Sequence, residues 1–297
     1  MHIHQILNHY TSRQELDPGF LVLDNSGNER PDWFEYWPMR KFLLAENLDE
    51  HAFYGFLSPR FQLKTSLSSA AVREFILACG AGTDVILLSP SIHNSACFLN
   101  VFEHGDSEHP GLKSVAKQLF ERLGIVCDLD TLVSDSRNTV HSNYFIAKPR
   151  FWRAWLAITE GMFGIAESTA DPLGAALRAP TTYRGSISVQ MKIFVMERIA
   201  TLLLSTDRSF AVRARDPFVA RSRIYKLPVA IVCDALKIAY ATQGRSQYKD
   251  VFLWVRGLRH ILNFQVRFAA ALGFWGCGAC LKLLRSHWLP GKMRQRQ

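Results

Sequence analysis

The chain is expected to fold as an α/β protein whose open sheet is covered by helices. Short apolar runs alternate with longer segments of helical periodicity, and turn clusters separate them. Its 297 residues suffice for one large α/β domain, or one domain with an appendage. In such sheets ligands gather at the carboxyl ends of the strands. The loops at 8–10, 58–65, 89–94 and 148–150 therefore deserve scrutiny.

The elements follow in order. Residues 3–7, Ile-His-Gln-Ile-Leu, read as a first strand, and 17–19 and 25–28 as turns. A helix is expected over 37–44, with Pro38 in its first turn. Residues 53–57 form a second strand, ended by Ser58-Pro59. A helix over 68–78 is capped by Ser68 or Ser69 and stopped by Gly80 and Gly82. The continuous apolar run 84–88 is the pattern of a buried, parallel strand. Further elements are expected at 110–123 (helix), 140–147 (strand), 151–167 (helix) and 187–204 (a long helix). His104 and His109 flank 105–108, which reads as a loop.

Hydrophobic residues make up 48 % of the chain and charged residues 21 %, an ordinary globular balance. Seven Trp and twenty Phe suit either a core or a sugar site, where a ring face stacks on a pyranose. The net charge of +9 is uneven: after Asp250 no acidic residue occurs, while Arg256, Arg259, Arg267, Lys282, Arg285, Lys292, Arg294 and Arg296 all follow it. A basic end on a near-neutral body implies an anionic partner for that end. The apolar run 268–281, bounded by Arg267 and Lys282, is shorter than the ~20 residues a membrane span needs. It reads as a core helix or as an interfacial one whose basic neighbours reach lipid phosphates, with Trp254, Trp275 and Trp288 fitting both. Six cysteines are scattered and the start lacks the pattern of a signal peptide, so a cytoplasmic setting, peripheral on the inner membrane, is expected. Cys277 and Cys280 form one CxxC without a second pair; it reads as small residues in an apolar helix or as a metal or redox site.

No GxGxxG, Walker loop, HExxH or GxSxG occurs, which weighs against dehydrogenase, P-loop, zinc-protease and α/β-hydrolase chemistry. No nucleic-acid-binding motif is visible either, and nucleic acid is not an expected partner.

Three segments carry candidate chemistry. In 187–204, Glu197-Arg198 interrupts an apolar stretch, where a charge needs a partner or a cleft. Glu197 is either a base or ligand at a cleft floor, or part of a buried ion pair. Asp135-Ser136-Arg137-Asn138 is dense polarity before a strand, read as a site edge or a surface loop. Upstream, Asp128 and Asp130 have the Asp-x-Asp spacing of a divalent-cation site but lie between a helix and a loop. Arg40, near a helix start where a cation is disfavoured, and Lys64 are read as contacts for an anion such as a diphosphate, or as solvated charges.

PDWFEYWP (31–38), FYGFLSP (53–59), LNVFEHG (99–105), DSR (135–137), NYFIAKPRFW (143–152) and MKIFVMER (191–198) together resemble a bacterial glycosyltransferase-like family associated with capsule, exopolysaccharide or lipopolysaccharide synthesis. The resemblance spans about residues 1–240 and extends to polysaccharide transferases of the GT-A fold. It implies a GT-A-like open mixed sheet over 1–240 and a basic helical extension over 241–297. It also implies a nucleotide-sugar donor and a glycan or lipid-linked acceptor. By that resemblance Glu197 is the catalytic carboxylate and Arg198 its orienting or phosphate partner. Asn143 lies near a sugar, Arg40 faces the diphosphate, and Gln5 and Tyr10 line the nucleotide pocket. The family's Asp-x-Asp follows a buried strand, but here Ser89-Pro90-Ser91 stands there. Ser89 and Ser91 then belong to the donor site, with Asp135 as the replacement carboxylate if a divalent metal is used. The alternative is a non-catalytic member that binds glycan or scaffolds a polysaccharide assembly. A third reading makes the basic tail the active part and the body incidental.

Overall fold

Alternation along the short apolar runs decides the architecture. A computed structural model describes residues 1–90, 92–183, 187–218, 227–258 and 261. In chain order its elements are β1 (His2–Asn8), β2 (Leu21–Asn25), α1 (Tyr36–Ala45), β3 (Tyr54–Leu57), α2 (Phe61–Thr65), α3 (Ser69–Ala78) and β4 (Val85–Leu87). Next come α4 (Val101–Glu108), α5 (Leu112–Arg122), β5 (Phe145–Ala147), α6 (Pro149–Glu167), α7 (Pro172–Arg178), β6 (Pro180–Tyr183) and β7 (Ile187–Gln190). The last are α8 (Met191–Met196), α9 (Ile199–Thr206), β8 (Val212–Ala214), α10 (Leu227–Gln243) and α11 (Ser246–Gly257).

Six strands form one mixed sheet in the order β2-β1-β3-β5-β4-β8, and β6 and β7 form a separate antiparallel pair. β1 runs parallel to β2 and β3, and β4 to β8, whereas β5 is antiparallel to both of its neighbours. The central strands are apolar on both faces because both faces are covered. Ile6, Tyr54, Phe56, Val85, Leu87 and Phe145 face one layer, with Met39 and Leu43 of α1 and Trp152 and Trp155 of α6. Ile3, Leu57, Ile86, Leu88, Tyr144 and Ile146 face the other, with Phe61 of α2 and Val72 and Ile76 of α3. Burying each of these large side chains contributes about 1.5–3 kcal/mol before the cost of ordering the chain. Trp152 adds a hydrogen bond from its indole N–H to the Tyr54 carbonyl at 3.0 Å. Gly55 faces Ile146 across the β3–β5 register, where an added Cβ would come within 2.7 Å of Ile146 Cγ1. His4, on β1, packs its ring against Phe42 and Phe56, and burial lowers its pKa to about 4, so the ring is neutral at neutral pH.

Several expectations are corrected. The strand β2 was read through as a stretch between turns, because as an edge strand it exposes Leu21 and Val22 and lacks a buried alternation. The expected loop at 105–108 is the end of α4, which starts where the Asn100 side chain accepts hydrogen bonds from the N–H groups of Phe102 and Glu103. The expected strand over 140–147 shrinks to β5, because Ser142 and Asn143 adopt left-handed backbone at φ +58° and +52°. The expected helix over 187–204 is a strand followed by two helices: Ile187 to Gln190 pairs with β6, and the helix breaks at Glu197-Arg198.

α10 and α11 pack on the body. Phe252 and Val255 of α11 join Cys97, Leu99, Val229 and Cys233 in a third apolar cluster, and Arg256 pairs with Glu103 at 2.6 Å. The run 268–281, Cys277, Cys280, Trp275, Trp288 and the basic residues from Arg259 onward lie outside the described residues. Among the described residues no helix is long and apolar enough to cross a membrane.

Candidate functional site

The antiparallel strand makes the site. β1, β3 and β4 deliver their carboxyl ends, at Asn8, Leu57 and Leu87, to one edge of the sheet. β5 runs the opposite way, so the segment that leads into it, 139–144, arrives at that same edge. Ser58 and Tyr144 join hydroxyls there at 2.5 Å. Ser89 donates to the Thr139 carbonyl at 2.9 Å and accepts from the His141 N–H at 3.0 Å. It is therefore a staple that holds 139–141 on the end of β4. Lys64, on α2, reaches across to Ser142 Oγ at 3.1 Å and lies 5.3 Å from the Tyr144 ring centre. Asn143 is 8 % exposed, and its Oδ1 has no hydrogen-bond partner among the described residues. A buried acceptor of this kind costs about 1–3 kcal/mol unless something donates to it.

The Lys64 charge also acts on Glu197. This residue ends α8, half-buried, and its carboxylate accepts no hydrogen bond from a described residue. Burial raises its pKa, and the charges of Arg198 and Lys64 oppose the rise. The adjacent Arg198 turns inward. Its Nε donates to the Val101 carbonyl at 2.9 Å and its Nη1 to the Phe194 carbonyl at 2.5 Å. Gly105 leaves room for that guanidinium; a Cβ there would run into it. The helix break thus separates two sequence neighbours, sending the arginine into the protein and leaving the carboxylate without a hydrogen bond among the described residues.

The Lys64 charge acts on a second carboxylate as well. Glu35 is half-buried and likewise accepts no hydrogen bond from a described residue. Burial pushes it up to about 7; the Lys64 charge pulls it down, and the Glu197 charge adds to the rise. Both carboxylates also act on the Tyr144 hydroxyl, whose pKa is raised chiefly by burial. Glu35 follows Phe34, which sits at φ +50°, ψ −133°, a region that residues with a Cβ rarely enter. Such a residue costs about 1–3 kcal/mol and persists only where its surroundings dictate it. Here they do. Arg30 pairs with Asp32 and Glu167, the Trp33 indole N–H donates to Glu167 at 2.9 Å, and Lys192 donates to Asp32 at 2.6 Å. Lys192 is 1 % exposed and lies 4.0 Å from the Trp33 ring centre. One tie therefore anchors the Glu35 turn to the first turn of α8, and Glu197 closes that same helix.

The other expected residues are placed as follows. Gln5 is buried and engaged: its amide donates to the Ser58 and Pro59 carbonyls, both at 3.3 Å, and its oxygen accepts from the Asp17 N–H at 2.9 Å. It shapes the edge without presenting a free group to a ligand. Tyr10 is 64 % exposed just past β1, with its hydroxyl accepting from Asn8 at 3.0 Å. Arg40 does not face an open anion site. Glu160 of α6 holds it through two hydrogen bonds of 2.6 and 2.7 Å, and Phe163 lies under its guanidinium at 4.3 Å. The cation near a helix start is explained by that carboxylate. Asp135 is buried and clamped by the backbone N–H and the guanidinium of Arg137 at 2.8–2.9 Å, which makes it a loop brace in place of the free carboxylate expected. Asp130 is paired with Lys113 and Lys117, and Asp128 holds its own turn through Asp130 N–H and Thr131. Among the described residues no cluster of three or more His, Cys, Asp or Glu forms a metal site. Ser91 lies outside the described residues.

Two residues were missed. Glu35 stands between Trp33-Phe34 and Tyr36-Trp37, and a carboxylate flanked by four aromatics was the available signal. His141 bonds Ser95 Oγ at 2.8 Å, and its pKa falls to about 3 through burial first and then through the charges of His104, Arg198, Lys237 and Lys64. No family model, curated protein or solved structure matches the chain.

Proposed function

We propose that this protein is a nucleotide-sugar-dependent glycosyltransferase that moves a sugar onto a glycan or lipid-linked glycan in surface polysaccharide synthesis. The observations that support the reading are Lys64 and the unsatisfied, buried Asn143 Oδ1 at the carboxyl edge of a largely parallel sheet, and the half-buried Glu197 carboxylate, on which the Lys64 charge acts. The mixed sheet with one reversed strand supports a GT-A-like assignment, and the resemblance of 31–38, 143–152 and 191–198 to glycosyltransferase-like sequences points the same way.

In this reading the acceptor hydroxyl attacks the anomeric carbon while the bond from that carbon to the diphosphate oxygen breaks. Glu197 takes the hydroxyl proton, and the diphosphate leaves with the bonding electrons. Lys64 is a cation at the edge with which to meet the departing charge. Arg40 and Arg198, the other cations expected there, are engaged by Glu160 and by backbone carbonyls. The buried Asn143 Oδ1 accepts from a sugar hydroxyl, which removes its cost. The reading places the enzyme on the cytoplasmic side, peripheral on the inner membrane, with its basic C-terminal segment toward anionic lipid and without a nucleic-acid partner.

One feature favours a second reading, a non-catalytic glycan binder or scaffold: Ser89, where the resemblance calls for an acidic ligand, is a structural staple. A thermal-shift screen against UDP, GDP, CMP and dTDP sugars, with and without manganese, separates the two. The transferase reading predicts stabilisation by one nucleotide class and its loss in Lys64→Met. A shift with glycan and none with any donor favours the binder.

A further inference from the structure

The packed pair α10 and α11 carries its charges inward and its apolar side chains outward. Between Pro228 and Tyr240 the charged residues are Asp234 and Lys237, and both are buried, 4 % and 3 % exposed. The Asp234 carboxylate accepts from the Ser136 N–H at 2.8 Å, and the Lys237 ammonium donates to the Phe98 carbonyl at 2.9 Å. With Val229 and Cys233 they fill the inward side of α10. The outward side is left to Ile231 and Val232, 41 % and 45 % exposed. In α11, Phe252 and Val255 stand three residues apart and face the body. Val251 and Trp254, also three apart, face away at 46 % and 67 % exposed, with Leu253 beside them. Arg256, held by Glu103 at 2.6 Å, fixes the pair of helices to the body. Apolar side chains gathered on the outside of a fixed element mark a contact with another apolar phase.

We infer that this outer face of α10 and α11 is a docking surface for an anionic lipid bilayer, which takes up the side chains of Ile231, Val232, Val251, Leu253 and Trp254. The inference goes beyond the transferase reading and stands without it. Charge decides between lipid and a second copy of the chain. The exposed Arg245 and half-buried Lys249 outnumber Asp250 here, and after Asp250 every charged residue in the sequence is basic. Two copies meeting on this face would bring like charges together, whereas anionic headgroups neutralise them. The Trp254 indole suits the headgroup zone, because it joins an apolar body to a polar N–H. Among the described residues no helix is long and apolar enough to cross a membrane. The two helices therefore lie along the bilayer surface and insert side chains only.

The test sediments the full-length protein with vesicles of phosphatidylcholine, alone or mixed with phosphatidylglycerol. The wild type is expected to bind the mixed vesicles in preference. Failure to bind them overturns the inference. Val232→Glu combined with Trp254→Glu changes two exposed positions, and is expected to weaken binding about 10-fold or more. Unchanged binding would assign the lipid contact to the residues after Ile261 alone and overturn the docking face. A wild type that is dimeric by light scattering, becomes monomeric in the double variant and leaves vesicles unbound would make a second copy the occupant, with the same consequence. A second measurement holds whether or not the double variant folds. Vesicles with brominated acyl chains are expected to quench a larger fraction of tryptophan fluorescence in the wild type than in Trp254→Phe. Equal fractions would show that Trp254 does not enter the bilayer and overturn the inference.

Discussion

Glu197→Gln is expected to reduce sugar transfer by about 10²–10⁴-fold, the range typical of a lost general base. Donor binding should persist, because the leaving-group charge is met by Lys64 and not by this carboxylate. The fold should persist too. Glu197 accepts no hydrogen bond from a described residue, is half-buried, and is replaced by a group of the same shape. Removing its charge also relieves Glu35, so thermal stability should stay level or rise slightly. Transfer assays alongside melting curves check both halves. A variant that melts well below the wild type would instead make Glu197 a structural ion-pair member with a partner elsewhere in the fold, the other reading open from sequence.

The second large effect is structural. Asp32→Ala is expected to destabilise the protein by roughly 3 kcal/mol or more, because it strands the Lys192 ammonium in the interior, and breaking a buried pair from one side costs about 3–5 kcal/mol. The nearest remaining carboxylate, Glu167, is 4.0 Å from Lys192 and already bonded to Arg30 and Trp33. Lys192→Met should be much milder, since it removes the charge and leaves an apolar chain of similar length against Trp33. Urea denaturation of the two variants tests the asymmetry. Equal losses would show that Lys192 is not carrying an uncompensated charge in the absence of Asp32.

What the sequence made legible follows from where burial is unambiguous. The runs at 84–88 and 53–57 and the helices at 68–78 and 151–167 could be read directly, because their apolar pattern reflects contacts on both faces of the sheet or a capped amphipathic helix. The edge strand β2 carries no such pattern. The stretch 187–198 misled because its apolar residues serve a strand pair and then a short helix, and no local rule separates the two. The position of Glu197 within an apolar run is what singles it out in the sequence, and the helix breaks there. The meeting of Lys64 with Ser142 and Asn143 at one edge could not be read, since it depends on β5 running backwards and on two left-handed residues before it. The partners of Arg40 and Asp135 could not be read from sequence, since Glu160 lies on another element and the Arg137 guanidinium turns back on Asp135 only in the folded loop.

The central claim is that ligand binds at the sheet edge by Lys64 and Asn143, within reach of the Glu197 carboxylate. Hydrogen exchange measured by mass spectrometry, with and without the stabilising nucleotide sugar and a glycan acceptor, tests it most directly. Added protection at 58–66, 139–144 and 191–198 is the predicted result. Protection instead around the depression of about 280 Å³ lined by Asn25, Glu29, Lys41 and Glu46, with none at the Glu197 edge, would contradict it.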